Sequence, residues 1–128
     1  MSEALLIDSD ILIDHLRKVQ NALDYIQKKL DDDSTLFISV ICRIEIFSGA
    51  RKGEDETIQS LFDTLTSVDV DLAIADAAGE YLRKFRKSNA MSIGDAIIAA
   101  TAKEMGVKLV TRNIKHYPMK DIEIIKPY

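Results

Sequence analysis

Residues 92–105, Ser-Ile-Gly-Asp-Ala-Ile-Ile-Ala-Ala-Thr-Ala-Lys-Glu-Met, constrain this chain more than any other stretch. They contain no proline, are rich in alanine, and run into Gly106, a residue suited to ending a helix in the left-handed conformation. Between Ser92 and Ala102 charge occurs once, at Asp95. A helix that is apolar nearly all round belongs in an interior. An ionised carboxylate there is costly unless it is paired, hydrogen-bonded or bound to a metal. Ser92 and Asp95 also fit a capping box, which would satisfy the acid within its own helix. Both readings stay open at this level.

The length, 128 residues, suits one domain spanning 1–128 with a true core. Apolar residues at 47% and charged residues at 30% give the balance of a globular chain. No apolar run approaches the ~20 residues of a membrane span, and no basic-then-apolar leader precedes Asp8, so a cytoplasmic protein without membrane contact is expected. The lone cysteine, Cys42, lies in an apolar run and reads as a buried, inert thiol. A net charge of −4 argues against a protein that grips nucleic acid by bulk electrostatics. It does not argue against a nucleic-acid enzyme, because acids gathered around a cation inflate the negative count. The positive charges are grouped, at Arg83, Lys84, Arg86 and Lys87 and again at Arg112, Lys115 and His116.

Taken in order, residues 4–7 are an apolar run consistent with a strand buried on both faces, ending in Asp8-Ser-Asp10. Ser9 or Asp10 caps the helix expected next, with Ile11, Leu12, His15, Leu16 and Val19 on one face and Asp14, Arg17 and Lys18 outward. A second helix is expected near 21–30, then a strand at 35–38 with Ser39 as a cap. The helix over 40–48 places Ile41, Ile44, Glu45 and Ser48 on one stripe, which puts a second carboxylate on an apolar face. Further helices are expected at 55–65 and 72–87, and further strands at 68–70, 107–111 and 122–125. A short helix at 114–117 would follow Asn113. Strands alternating with helices imply an α/β fold, a three-layer α/β/α sandwich around a mainly parallel sheet.

In open parallel sheets, ligands bind beyond the carboxyl ends of the strands. Asp8, Glu45, Asp95 and Asn113 would meet in that crevice. Two unit charges roughly 5 Å apart repel by about 3 kcal/mol at an effective dielectric of 20, so three carboxylates would not cluster without a cation. Each also has a local explanation, as a cap, a partner of a buried arginine, or a turn residue. An all-oxygen set suits Mg²⁺ or Mn²⁺, which can activate water and stabilise charge on a phosphate oxygen. Gly94 would allow a backbone to approach Asp95 closely. Arg112, Lys115 and His116 are placed to hold phosphates.

Four motifs, residues 5–14, 38–49, 93–102 and 109–117, resemble the successive motifs of PIN-domain ribonucleases, in particular the VapC-type toxins of toxin–antitoxin pairs. The resemblance spans nearly the whole chain. It implies an Mg²⁺-dependent endoribonuclease, with Mn²⁺ able to substitute, held inactive by a VapB-like antitoxin lying over the acidic groove. It also implies a homodimer. By position Asp8 and Asp95 match the metal-binding acids, Glu45 the acid that completes the site, and Thr111 a small hydroxyl residue that steadies it and borders the substrate. Asn113 stands where many relatives carry a fourth acid.

The strongest rival is a haloacid-dehalogenase-like phosphatase, with Asp8 as nucleophile, Asp10 as acid/base and Gly94-Asp95 as its metal motif. That reading expects another acid one turn after Asp95, where Ala99 and Ala100 stand, and it leaves Glu45 without a role. A phosphoacceptor receiver is weaker, lacking an aspartate at a third-strand end, and so is a metal-free nuclease using His15 and His116, because each histidine reads as structural or, for His116, as facing phosphate.

Overall fold

The structure, a computed structural model, describes residues 2–128. Its centre is one parallel sheet in the order β3-β2-β1-β4-β5, built from β1 (Ala4–Ile7), β2 (Thr35–Ser39), β3 (Thr66–Val68), β4 (Lys108–Val110) and β5 (Ile124–Ile125). β1 is the middle strand, and Leu5, Leu6 and Ile7 are all fully buried. Consecutive buried residues are what a parallel strand covered on both faces requires. β1 pairs with β2 through Leu5 and Leu36, and with β4 through Ile7 and Val110.

The connections carry six helices. α1 (Ser9–Leu16) and α2 (Gln20–Asp31) join β1 to β2, and α3 (Val40–Ser48) and α4 (Asp55–Asp63) join β2 to β3. α5 (Leu72–Asn89) and α6 (Ile93–Met105) carry the chain back across the sheet to β4. The direction of winding therefore reverses beside β1, and right-handed crossovers then lay helices on both faces. The three-layer α/β architecture expected from the sequence is present, with every strand pair parallel.

α6 is the buried helix foreseen from its composition. Ala96, Ile98, Ala99, Ala100, Thr101 and Ala102 are each no more than 1% exposed. Its alanines let it approach α5 and the sheet closely, and the Thr101 hydroxyl donates to the Ile97 carbonyl one turn back, so no polar group is stranded. Gly106, at φ 67°, ends it in the left-handed conformation. Ser39 and Asp71 cap α3 and α5 through side-chain oxygens, as N-terminal residues of these types do.

Several expectations shift. The cap of α1 is Asp8, the local role the sequence also allowed it, and not Ser9 or Asp10, because the Asp8 carboxylate accepts from the Ser9 amide. β3 lies at Thr66–Val68 and not 68–70, since α4 ends by Thr64 and the buried Leu65 returns the chain to β2 at once. Asp14 and Arg17 do not point freely outward: Arg17 pairs with Glu54 at 2.7 Å and Asp14 with Arg112 at 2.7 Å. The buried residues of α3 are Cys42 and Ile46, Ile41 packs only partly against the core and Ile44 is 65% exposed, so Glu45 lies at the edge of the buried face and not within it. Among the described residues no helix is long and apolar enough to cross a membrane.

The tight seat of α6 sets a test. Ala99→Leu forces a larger side chain against the sheet, and overpacking of this kind costs about 1–3 kcal/mol. Urea denaturation of the variant should show that loss; an unchanged midpoint would mean that α6 has slack.

Candidate functional site

The crevice lies where the winding reverses, between the carboxyl ends of β1 and β4. Asp8 leaves β1 there, 5% exposed, with its amide donating to the Val110 carbonyl of β4. Its carboxylate is held from three directions. Oδ1 accepts from the Ser9 amide at 2.7 Å, while Oδ2 accepts from the Thr111 hydroxyl at 2.8 Å and the Tyr117 hydroxyl at 2.7 Å. Burial, followed by the neighbouring Asp10, still pushes its pKa up to about 6, against the hydrogen bonds that favour the anion.

Asp10 holds the loop after β4. Its Oδ2 accepts from the Arg112 amide at 2.9 Å, and its Oδ1 from the Ile11 amide at 2.8 Å. Burial also raises its pKa.

Asp95 sits at the start of α6 in a complete capping box. The Asp95 amide donates to Ser92 Oγ at 3.0 Å, and Asp95 Oδ2 accepts from the Ser92 amide at 3.2 Å. The local reading of Asp95 is therefore realised, but it does not exhaust the residue. The same Oδ2 faces His116 Nδ1 at 3.5 Å, and the acid is near enough to Glu45 to raise that residue's pKa.

Glu45 completes the group from α3. Burial raises its pKa first, then the charges of Asp8 and Asp95. A Cβ built on Gly94 would lie 3.8 Å from Glu45 Oε1 and 3.7 Å from Ser92 Oγ, which is ordinary contact. Gly94 is thus not needed for close approach, contrary to expectation; the neighbour it faces is Glu45. Cys42 is fully buried beneath these acids, and burial together with Asp8 and Glu45 holds its thiol firmly protonated.

The remaining residues divide. Thr111 is fully buried, so it steadies Asp8 and cannot touch a substrate, as half of its sequence reading had it. Asn113 is exposed; its amide donates to Thr111 Oγ1 at 3.0 Å, and its side chain makes no capping bond to the 3-10 turn Ile114–His116. Arg112 is bound to Asp14 through Nε at 2.7 Å and Nη2 at 3.2 Å, and Tyr128 donates to the same carboxylate at 2.7 Å. Arg112, Asn113, Lys115 and His116 line a pocket of about 320 Å³ together with Ile114 and Lys126. Sequence reasoning missed Lys126, Tyr117 and the Asp14–Tyr128 contact. Only the short spacing of Tyr117 from Asn113 hinted at any of them.

Among the described residues no three acids, histidines or cysteines are drawn together tightly enough to cage an ion, and Asp8 and Glu45 join none of the ion pairs. The donor set nevertheless fits a hard cation. Mg²⁺ keeps most of its waters and takes only one or two carboxylates, and a Glu45 whose pKa is raised by the charges of Asp8 and Asp95 sits where positive charge is short.

A family model for the PIN domain matches residues 5–121. Ribonuclease VapC10 of Mycobacterium tuberculosis is 37% identical over 124 residues, covering 96% of this chain and 91% of that protein. Ribonuclease VapC19 of the same species is 30% identical over 115 residues, covering 89% and 92%. The crystal structure of DNA-bound VapBC from Salmonella typhimurium matches over 100% of both chains, with a TM-score of 0.83 at 21% identity.

The displacement of Asp8 from 3.8 to about 6 has a sign. The folded state holds this proton more tightly than the unfolded state, so metal-free protein loses stability as pH rises from about 4 to about 6. The loss amounts to about 3 kcal/mol and persists above that range. In EDTA, Asp8→Asn should flatten this part of the melting profile. Asp8→Ala should not gain the full amount, because it strands the Ser9 amide and two buried hydroxyls. A wild-type profile with no fall over this range would refute the assignment.

Proposed function

The chain belongs to the PIN-domain family, and on that premise we propose that it is a ribonuclease, the toxin of a toxin–antitoxin pair, hydrolysing RNA phosphodiester bonds with Mg²⁺ as cofactor and Mn²⁺ able to replace it. One observation carries the reading. Carboxylates from the end of β1, from α3 and from α6, far apart in sequence, converge at the switch point of a parallel sheet, where Asp8 and Asp95 together raise the pKa of Glu45. Structural acids would sit beside lysines or arginines; these sit beside each other.

In this reading Asp8 and Asp95 hold the ion, and Glu45 completes the site. Bound there, the ion would activate water and stabilise charge on a phosphate oxygen. Glu45 has a pKa moved towards neutrality and is exposed to the crevice, which suits it to take the proton as water adds to phosphorus and the ester oxygen departs. Asn113 borders the site without charge. Lys115, His116 and Lys126 gather positive charge in the adjoining pocket, where an RNA phosphate fits. Arg112 shapes that pocket from a position fixed by Asp14, which limits its reach to the backbone.

The same proposal includes a VapB-like antitoxin over the groove and a homodimer of this chain. Exposed apolar side chains support both contacts: Ile13 stands on α1, Ile44 and Phe47 on α3 beside Glu45, and Leu72 is 84% exposed. Asp8 as the nucleophile of a phosphatase finds no support: Ala99 and Ala100 stand where that reading needs a further acid, and Glu45, beside Asp8 in the crevice, would have no role.

Antitoxin-free protein incubated with total cellular RNA tests the function. Cleavage should appear with Mg²⁺ or Mn²⁺, vanish in EDTA, and fall at least about 100-fold in Asp95→Asn, a change that keeps a capping side chain. Cleavage that persists in EDTA would overturn the metal-dependent reading. For the pocket, Lys115→Ala and Lys126→Ala should each weaken binding of uncleaved RNA and reduce the log–log salt slope by about 0.7. An unaltered slope would place the phosphate elsewhere.

A further inference from the structure

Asp8 presents its two oxygens unequally. An ionised carboxylate has about four acceptor positions, two on each oxygen. Oδ2 receives the Thr111 and Tyr117 hydroxyls at 2.8 and 2.7 Å, so both of its positions are filled. Each donor is committed. Thr111 has one proton, lies nearer Asp8 than Asp10 (3.3 Å), and in turn accepts the Asn113 amide. Tyr117 is buried, and its one hydroxyl proton points to Asp8 Oδ2 at 2.7 Å. On Oδ1 the Ser9 amide takes one position at 2.7 Å, and the Ser9 hydroxyl stands at the outer limit, 3.4 Å. One strong acceptor position therefore remains free, on Oδ1.

We propose that Tyr117 is a positioning residue which, together with Thr111, locks the Asp8 carboxylate so that it meets a divalent cation through Oδ1 alone, favouring Mg²⁺ and Mn²⁺ over Ca²⁺. The inference rests on the metal reading above and adds a basis for selectivity. The two hydroxyls sit on one side of the carboxylate and oppose its rotation about χ2. A single oxygen suits small ions that demand octahedral geometry and retain water. Ca²⁺ takes six to eight oxygens and commonly uses both oxygens of a carboxylate, which a locked Asp8 withholds. Tyr117 acts through Asp8 and touches neither ion nor substrate.

Calorimetric titration of antitoxin-free protein with Mn²⁺, Mg²⁺ and Ca²⁺ separates the possibilities. Tyr117→Phe removes one hydroxyl and keeps the ring. It should weaken Mn²⁺ binding about tenfold, within the range usual for partners of a metal ligand. Ca²⁺ should lose less, so the preference for Mn²⁺ over Ca²⁺ narrows. Thr111→Val should narrow it likewise, and Thr111→Ser, which restores the hydroxyl, should recover it. Should Tyr117→Phe not fold, the Thr111 pair reads the same oxygen. Wild-type affinity and preference in folded Tyr117→Phe, or equal behaviour of Thr111→Val and Thr111→Ser, would overturn the proposal. Absence of any divalent-ion binding by the wild-type protein would instead overturn the metal reading on which it stands.

Discussion

A buried carboxylate at the end of the central strand ties this molecule together. Asp8 begins α1, receives hydrogen bonds from the loop after β4, and borders Glu45 and Asp95. Burial makes its charge expensive, and the Ser9 amide with the Thr111 and Tyr117 hydroxyls offsets only part of that cost. The fold thus holds an anion in a place where it is not fully satisfied. Everything around the crevice follows from the need to hold it still, close to other acids, without a fixed positive partner.

Two helices meet that need in different ways. α6 is rigid because it is enclosed by alanine contacts on most of its surface, so Asp95 is carried on a beam that cannot tilt. α3 instead carries its acid at the edge of its buried face, so Glu45 reaches the crevice while the helix stays fixed by Cys42 and Ile46. A third support is the Asp14–Arg112–Tyr128 contact, which ties α1 and the end of the chain to the loop bearing Thr111. That loop has little regular structure, and side-chain bonds give it the order that backbone ladders give elsewhere.

Much of this was legible from residue order alone. The strands at 4–7 and 35–39, the Ser39 cap, the Gly106 stop and the burial of residues 96–102 all follow from patterns within a few residues, where local physics decides. Asp8, Glu45 and Asp95 were legible because charge in apolar surroundings needs a reason. Glu45 was found on the right helix, but its stripe is only half buried, with Ile41 against the core and Ile44 exposed: periodicity locates a stripe, and the packing of the helix decides how far it turns inward. Thr111 and Arg112 read as substrate contacts because their neighbours are polar; their true partners, Asp8 and Asp14, lie about a hundred positions away. Tyr117 was illegible for the same reason. Nothing within its own segment distinguishes a buried phenol that donates to Asp8 from an ordinary core aromatic.

The burial of Cys42 gives the molecule an internal clock. Its thiol is inaccessible and held protonated by burial and by the acids above it, so it cannot react with a disulfide or alkylating reagent from the closed fold. Modification must wait for α3 to lift away from the sheet, and the rate then measures how often that happens. Because Glu45 rides on the same helix, the thiol times the opening of the acidic crevice from below, using an atom that the chemistry above it never touches.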